Sequence, residues 1–254
     1  MMGPSPRVYL LDVEGTVAPI AFVHEQLFPY ARAHFCAFLE QNIAADAVVR
    51  DLMLLKKEHM NEQDPNAPSL LPPGFRTDRN NIAWRPSVGI PQVLDYVFWL
   101  MDRDRKSTAL KSLQGRIWKN GFESGALQGT LFDDVPAAVE RWSAKALVAI
   151  YSSGSEEAQR LVFRYSIFGD LTGLISAYFD THVGPKQASA SYAAIARNLK
   201  VDPGEVLFLS DMVPELNAAR EAGCQTRLVV RDGNTPVEEG HGHGHGVVES
   251  FAVI

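Results

Sequence analysis

Short runs of aliphatic and β-branched residues, each closed by a polar residue or a glycine, recur along the chain. They lie at Val8 to Asp12, Ala146 to Tyr151, Val206 to Asp211 and Thr226 to Arg231, with a weaker one at Gly173 to Asp180. Runs of this kind suit strands covered by helices on both faces of a sheet. Helical patterns at Glu156 to Tyr165, Ser191 to Leu199 and Pro214 to Ala222 separate the later runs, the last closed by Gly223 as a C-terminal cap. This alternation predicts parallel βαβ units.

The first two runs are more than 130 residues apart, with almost no strand signal between them. Helical patterns fill the interval at Val23 to Gln41, Ala45 to Met60, Ile90 to Asp104 and Leu110 to Phe122. Asn61 to Arg76, with Pro65, Pro68, Pro72, Pro73 and Gly74, predicts a loop inside this helical stretch. The expected fold class is α/β: a doubly wound, mainly parallel sheet with a helical cap domain inserted after the first strand. Residues 1–18 and 130–254 are expected to form the α/β core and residues 19–129 the insert. The stretch Gly240-His-Gly-His-Gly-His-Gly246 predicts a mobile surface loop, because so much glycine fixes no geometry. Alternating imidazoles sharing a metal ion are the other account of it.

Composition narrows the function classes. The chain has 254 residues, 24 Lys+Arg against 30 Asp+Glu, a formal charge of −6 and no long basic cluster. It therefore lacks the positive field that binding to nucleic acid or an anionic membrane needs. Its apolar runs, Ala146 to Tyr151 among the longest, fall far short of the roughly 20 residues that cross a bilayer. Two cysteines, Cys36 and Cys224, and a start with no secretory core predict a reducing cytoplasmic setting. A monomer acting on a small molecule is the expectation.

In an open parallel sheet, ligands bind beyond the carboxyl ends of the strands, and polar side chains gather at those ends here. The first run closes on Asp12-Val-Glu14-Gly-Thr16. One of its two carboxylates can attack or bind metal while the other moves a proton, and Gly15 permits the turn that exposes both. A turn that merely solvates two acids would carry the same residues. The second run closes on Ser152-Ser153-Gly154-Ser155-Glu156, which puts hydroxyls and N–H groups at a helix start, where an anion such as phosphate is favoured. Ser153 or Ser155 can equally cap the helix, Ser153 with Glu156 as a capping box, and one hydroxyl can cap while Ser152 binds substrate. Lys186, after Gly184-Pro185, can neutralise a phosphate or lie solvated at the surface. Asp211 with Glu215 one helical turn on makes an oxygen pair suited to Mg²⁺, although Glu215 equally suits a first-turn acid stabilised by the helix dipole.

Taken in order, Asp-x-Glu, Ser-Ser-Gly, Lys and Asp at successive strand ends resemble the haloacid dehalogenase superfamily of phosphohydrolases. Within it the chain is most similar to the enolase-phosphatase family of methionine salvage. The similarity is carried by Leu11-Asp-Val-Glu-Gly-Thr16, Pro19-Ile-Ala-Phe-Val23, Leu27-Phe-Pro-Tyr30, Leu113-Gln-Gly-Arg-Ile-Trp118, Tyr151-Ser-Ser-Gly-Ser-Glu156, Tyr178-Phe-Asp180 and Phe208-Leu-Ser-Asp211. These segments span most of the chain, the insert included. Most of the superfamily carries Asp where this chain has Glu14, and the enolase-phosphatases share the Glu.

The resemblance implies a haloacid-dehalogenase-like core and one Mg²⁺ per subunit, held by Asp12, the Glu14 carbonyl and Asp211, with Glu215 possible behind them. It implies Asp12 as nucleophile, Glu14 as acid and base, and Lys186, Ser152 and Ser153 as phosphate holders. The implied substrate is a small phosphorylated diketone, 2,3-diketo-5-methylthiopentyl 1-phosphate, with the insert closing over it. The tryptophans Trp84, Trp99 and Trp118 are expected in the core of the insert. The alternatives are a phosphatase of the same superfamily for another small phosphate and a receiver-type phosphoacceptor module. Receivers place their phosphorylated Asp on the third strand of an uninterrupted domain, which this order does not match.

Overall fold

Six strands form one sheet in the order β3-β2-β1-β4-β5-β6, every neighbouring pair parallel, in a computed structural model. The structure describes residues 5–70, 89–234 and 244–254. The strands are β1 (Val8–Leu11), β2 (Leu147–Tyr151), β3 (Ala177–Phe179), β4 (Val206–Ser210), β5 (Gln225–Val229) and β6 (Gly246–Val248). The helices are α1 (Phe28–Asn42), α2 (Asp46–Met60), α3 (Ile90–Asp102), α4 (Thr108–Glu123), α5 (Val135–Ser143), α6 (Glu156–Arg164), α7 (Ser189–Leu199) and α8 (Val213–Glu221). The sheet is α/β and doubly wound, with the helical segment after β1, as the hydrophobic pattern predicts.

The chain divides into two units, Met1–Gln26 with Phe122–Ile254, and Leu27–Gly121. In the first, all four residues of β1 are buried. Val8, Leu10, Ala149, Tyr151, Val206 and Phe208 pack against Tyr192 and Ile195 of α7 and Leu216 and Ala219 of α8. On the other face Tyr9 stacks on Trp142 of α5, with ring centroids 4.4 Å apart. The register pairs Leu11 with both Ile150 and Leu209, so β2, β1 and β4 end side by side. The second unit is helical, with a core that includes Phe35, Leu52, Val93, Tyr96, Leu113 and Ile117. Trp99 is buried in that core and Trp118 packs against it, its Nε1 donating to the Leu27 carbonyl at 2.7 Å. Trp84 lies outside the described residues, as do residues 71–76 of the proline-rich loop; residues 61–70 of that loop carry no helix or strand.

Three local expectations are corrected. Gly246 is not in a mobile loop: it opens β6, parallel to β5. His245 before it is buried, within 2.7 Å of Thr226 Oγ1 and 3.1 Å of Asn217 Oδ1. Pairing with β5 and these polar partners supply an order that local glycine content hides. Residues 240–243 of the same stretch lie outside the described residues. The run from Gly173 to Asp180 splits into a 3₁₀ turn, Thr172–Leu174, and a three-residue strand. The helical pattern from Val23 begins as a π-helix, Phe22–Leu27, before α1, where Pro29 has no N–H to give to the preceding turn. Helix α5, short and with Pro136 in its first turn, gave no expectation. Among the described residues, no helix is long and apolar enough to cross a membrane.

Candidate active site

With β1 central, and the chain running to β2 on one side and to β4 on the other, the crevice between β1 and β4 is the switch point where open α/β sheets bind ligands. Asp12 follows β1 at that point. Its N–H donates to the Leu209 carbonyl at 3.0 Å, so the ladder continues one residue past β1, and it is 4% exposed. The chain then turns sharply: Gly15 has φ +72°, and a Cβ there would run into the Asp211 carboxyl. Gly15→Ala is therefore expected to lose about 1–2 kcal/mol from backbone strain alone, and to displace Asp211. A urea unfolding curve indistinguishable from wild type would contradict this.

Lys186 reaches Asp12 from the loop after β3. Three hydroxyls pin that loop: Tyr151 donates to the Gly184 carbonyl at 2.9 Å, Ser191 to the Pro185 carbonyl at 2.8 Å and Tyr192 to the Lys186 carbonyl at 2.7 Å. Gly184, at φ +138°, passes so close to Ser191 Oγ that a side chain would not fit. Lys186 is thus a buried bridge, not a solvated surface residue. Its Nζ lies 2.5 Å from Asp12 Oδ1 and 2.6 Å from Glu215 Oε2, with its side chain 9% exposed. Burial works against its charge, but the Asp12 and Glu215 carboxylates outweigh that and hold its pKa above the ordinary lysine value.

Asp211 closes the cluster from the end of β4, its N–H donating to Thr16 Oγ1 at 3.1 Å. The hydroxyl of Ser210 lies 3.3 Å from Asp12 Oδ2 and 3.1 Å from Glu215 Oε2 and can donate to either. Burial, then the nearby Asp12 charge, pushes the Asp211 carboxyl up to about 7, and the same two causes raise Glu215. Asp211 Oδ1 is buried and has no hydrogen-bond donor. Two carboxylates on one ammonium, with the Asp211 carboxyl close by and one of its oxygens buried and unpartnered, make a site with a deficit of positive charge. Among the described residues, no three His, Cys, Asp or Glu side chains form a ready-made metal cage. Mg²⁺ needs none: it takes one or two carboxylates and fills its octahedron with carbonyl, water and phosphate oxygens. The donor set fits it.

At the end of β2, Ser152 is buried; its N–H donates to the Phe179 carbonyl at 3.2 Å, and its Oγ accepts from Gly154 N at 3.2 Å. Ser153 is exposed. Of the two caps expected, Ser155 rather than Ser153 is the N-cap of α6, its Oγ accepting from Ala158 N at 3.2 Å. A cap two residues later leaves both earlier hydroxyls outside the helix. Gln159 braces the loop, donating to the Gly154 and Phe179 carbonyls at 2.7 and 2.9 Å. Asp12, Asp211, Lys186 and Glu215 are brought together, while Glu14 lies half-buried on the turn beside them. Thr16, Ser210 and Gln159 gave no functional expectation. Ser210 alone had a usable signal, its position beside Asp211 at a strand's carboxyl end.

Residues 6–223 match the haloacid dehalogenase-like hydrolase family. The enolase-phosphatase E1 of Synechococcus elongatus is 48% identical over 232 residues, 91% of each chain. That of Drosophila persimilis is 42% identical over 249 residues, 98% of this chain and 94% of that protein. Among solved structures, the Unknown transcript 4 protein (UTR4) of Saccharomyces cerevisiae superposes with TM-score 0.76 at 33% identity, covering 98% of this chain and 100% of that one. The chain belongs to the haloacid dehalogenase-like hydrolases and, within them, to the enolase-phosphatase E1 family. It is a phosphatase of that type.

Proposed function

We propose that the protein enolises 2,3-diketo-5-methylthiopentyl 1-phosphate and then hydrolyses the enol phosphate to acireductone (1,2-dihydroxy-3-keto-5-methylthiopentene) and phosphate, in methionine salvage. The observation that carries this reading is the buried Asp12 carboxylate at the switch point, in contact with Lys186 and beside the unpartnered Asp211 oxygen. Asp12, the Glu14 carbonyl and Asp211 would hold one Mg²⁺, which would supply the positive charge that lets a carboxylate approach a phosphate. Asp12 attacks phosphorus in line, forming an aspartyl phosphate as the ester P–O bond breaks. Glu14 gives its proton to the departing oxygen. The same side chain, now a carboxylate, takes a proton from the water that cleaves the aspartyl phosphate and frees Asp12. Lys186 has three N–H donors; Asp12 and Glu215 engage two, and the third is available to a phosphate oxygen. Ser152 and Ser153 hold the remaining oxygens.

Mass-resolved product analysis with the diketo phosphate tests the reading. Release of acireductone and phosphate together supports it. Phosphate release from aryl or sugar phosphates with no turnover of the diketo phosphate would reassign the substrate.

Enolisation removes a proton from C1, the carbon bonded to the same ester oxygen that Glu14 later protonates. A carboxylate beside that oxygen is also beside the C1 hydrogens, and Glu14 is one methylene longer than the usual Asp. Glu14→Asp is expected to slow C1 hydrogen exchange with deuterated solvent more than it slows hydrolysis of an aryl phosphate. Equal losses in the two assays would move the enolisation base to another residue.

A further inference from the structure

The turn that carries Glu14 is held by side chains that have no role in the scheme above. Arg231, two residues beyond β5, has a side chain only 7% exposed. Its Nε donates to the Thr16 carbonyl at 3.3 Å, and its Nη1 donates to Asp134 Oδ2 at 2.9 Å and to the Glu249 carbonyl at 3.1 Å. The guanidinium lies 4.6 Å from the ring centroids of both Phe132 and Phe251. Asp134 Oδ2 also accepts from Ser250 Oγ at 2.9 Å and Phe251 N at 2.6 Å. Burial opposes ionisation of Asp134, yet Arg231 and these donors outweigh it and hold its carboxyl below the usual range. Three residues after Arg231, Asn234 Nδ2 donates to the Gly15 carbonyl at 2.8 Å.

These contacts fix the peptide planes of the turn. The carbonyls of Gly15 and Thr16 are taken by Asn234 and Arg231, and the N–H of Gly15 is given to the Ala18 carbonyl at 2.8 Å. In a trans peptide the carbonyl points opposite the N–H, so that last bond turns the Glu14 carbonyl away from Ala18. Thr16 Oγ1 in turn receives the Asp211 N–H. An unbroken series of contacts therefore runs from Glu249, Ser250 and Phe251 through Asp134 and Arg231 to Thr16 and Asp211. An apolar side chain between Phe132 and Phe251 would avoid desolvating an ion pair; the guanidinium instead directs a donor at the turn. Arg231, Asn234 and the C-terminal segment all lie beyond the 6–223 span of the family match.

We infer that Arg231 and Asn234 are positioning residues for the metal-binding turn, and that Glu249–Phe251, by fixing Arg231 and Asp134, is a working part of the active site. The inference rests on the proposed roles of the Glu14 carbonyl and Asp211. Outer partners of metal ligands typically contribute about 10- to 100-fold in affinity or activity. The test uses the full chain with Mn²⁺, which shares the oxygen-ligand preference and whose free form is counted by electron paramagnetic resonance. Arg231→Lys and Asn234→Ala are each expected to weaken Mn²⁺ binding about tenfold and to shift the Mg²⁺ activation curve for an aryl phosphate by the same factor. The KM measured at saturating Mg²⁺ should stay unchanged. Should Arg231→Lys fold poorly, Asn234→Ala decides alone, since Asn234 is half-buried and belongs to neither apolar core. Unchanged Mn²⁺ binding, with only a lower melting temperature, would make both residues merely structural and overturn the inference. A wild type that binds Mn²⁺ and hydrolyses aryl phosphate but leaves the diketo phosphate untouched would overturn the proposed substrate and leave this inference intact.

Discussion

Asp12→Asn is expected to lower phosphate release by on the order of 10⁴-fold or more while the protein stays folded, because an amide is a poor nucleophile and a weaker metal ligand. The fold should survive because Lys186 keeps Glu215 at 2.6 Å and β1 keeps its buried ladder. Trapping with beryllium fluoride should mark Asp12 in the wild type, and an adduct on any other side chain would displace it as nucleophile. The substitution also has a signature independent of turnover. Without metal, the Asp211 carboxyl stands at about 7 against an ordinary 3.8, first through burial and then through the Asp12 charge. A folded pKa above the unfolded one means stability that is fully present below about pH 4 and lost as pH rises through about 7. Removing the Asp12 charge lowers the upper edge of that window. Melting curves of the metal-free variant and wild type between these limits should therefore converge toward low pH and separate near neutrality.

The site was legible in the sequence to the extent that its chemistry sits at strand ends. Asp12, Ser152 and Asp211 each follow a buried aliphatic run, and in a parallel sheet all such ends face one crevice, so local pattern alone brings them together. Lys186 was legible as chemistry but not as geometry. What lifts it from solvent to a buried bridge is the anchoring of its loop by Tyr151, Ser191 and Tyr192, contacts made across up to 33 residues of chain. Arg231 and Asn234 gave no expectation, because each acts through a backbone group far away in sequence. Arg231 meets Thr16 across 215 residues and Asn234 meets Gly15 across 219, and no periodicity records such a pair. Strand β6 escaped for a related reason. Three residues beside a glycine-histidine tract have weak strand preference of their own, and β5 supplies the pairing that orders them.

Lys186→Ala and Asp211→Asn are both expected to be severely impaired, and Mg²⁺ should separate them. Loss of Lys186 removes a fixed positive charge from the phosphate, an interaction whose loss typically costs about 10²- to 10³-fold in turnover, and no added Mg²⁺ puts an ammonium back. It also leaves Asp12 and Glu215 facing each other without their shared partner, and breaking a buried pair in this way costs about 3–5 kcal/mol. The assay must therefore run where circular dichroism shows the variant folded. Asp211→Asn keeps an oxygen near the metal but loses its charge, so affinity falls while the rest of the machinery, Lys186 between Asp12 and Glu215, stays in place. Its activation curve should move to higher Mg²⁺ and approach wild-type turnover at saturation. Superimposable Mg²⁺ titrations for the two variants would mean that Lys186 and Asp211 act on the same quantity, and the division between a phosphate holder and a metal ligand would fail.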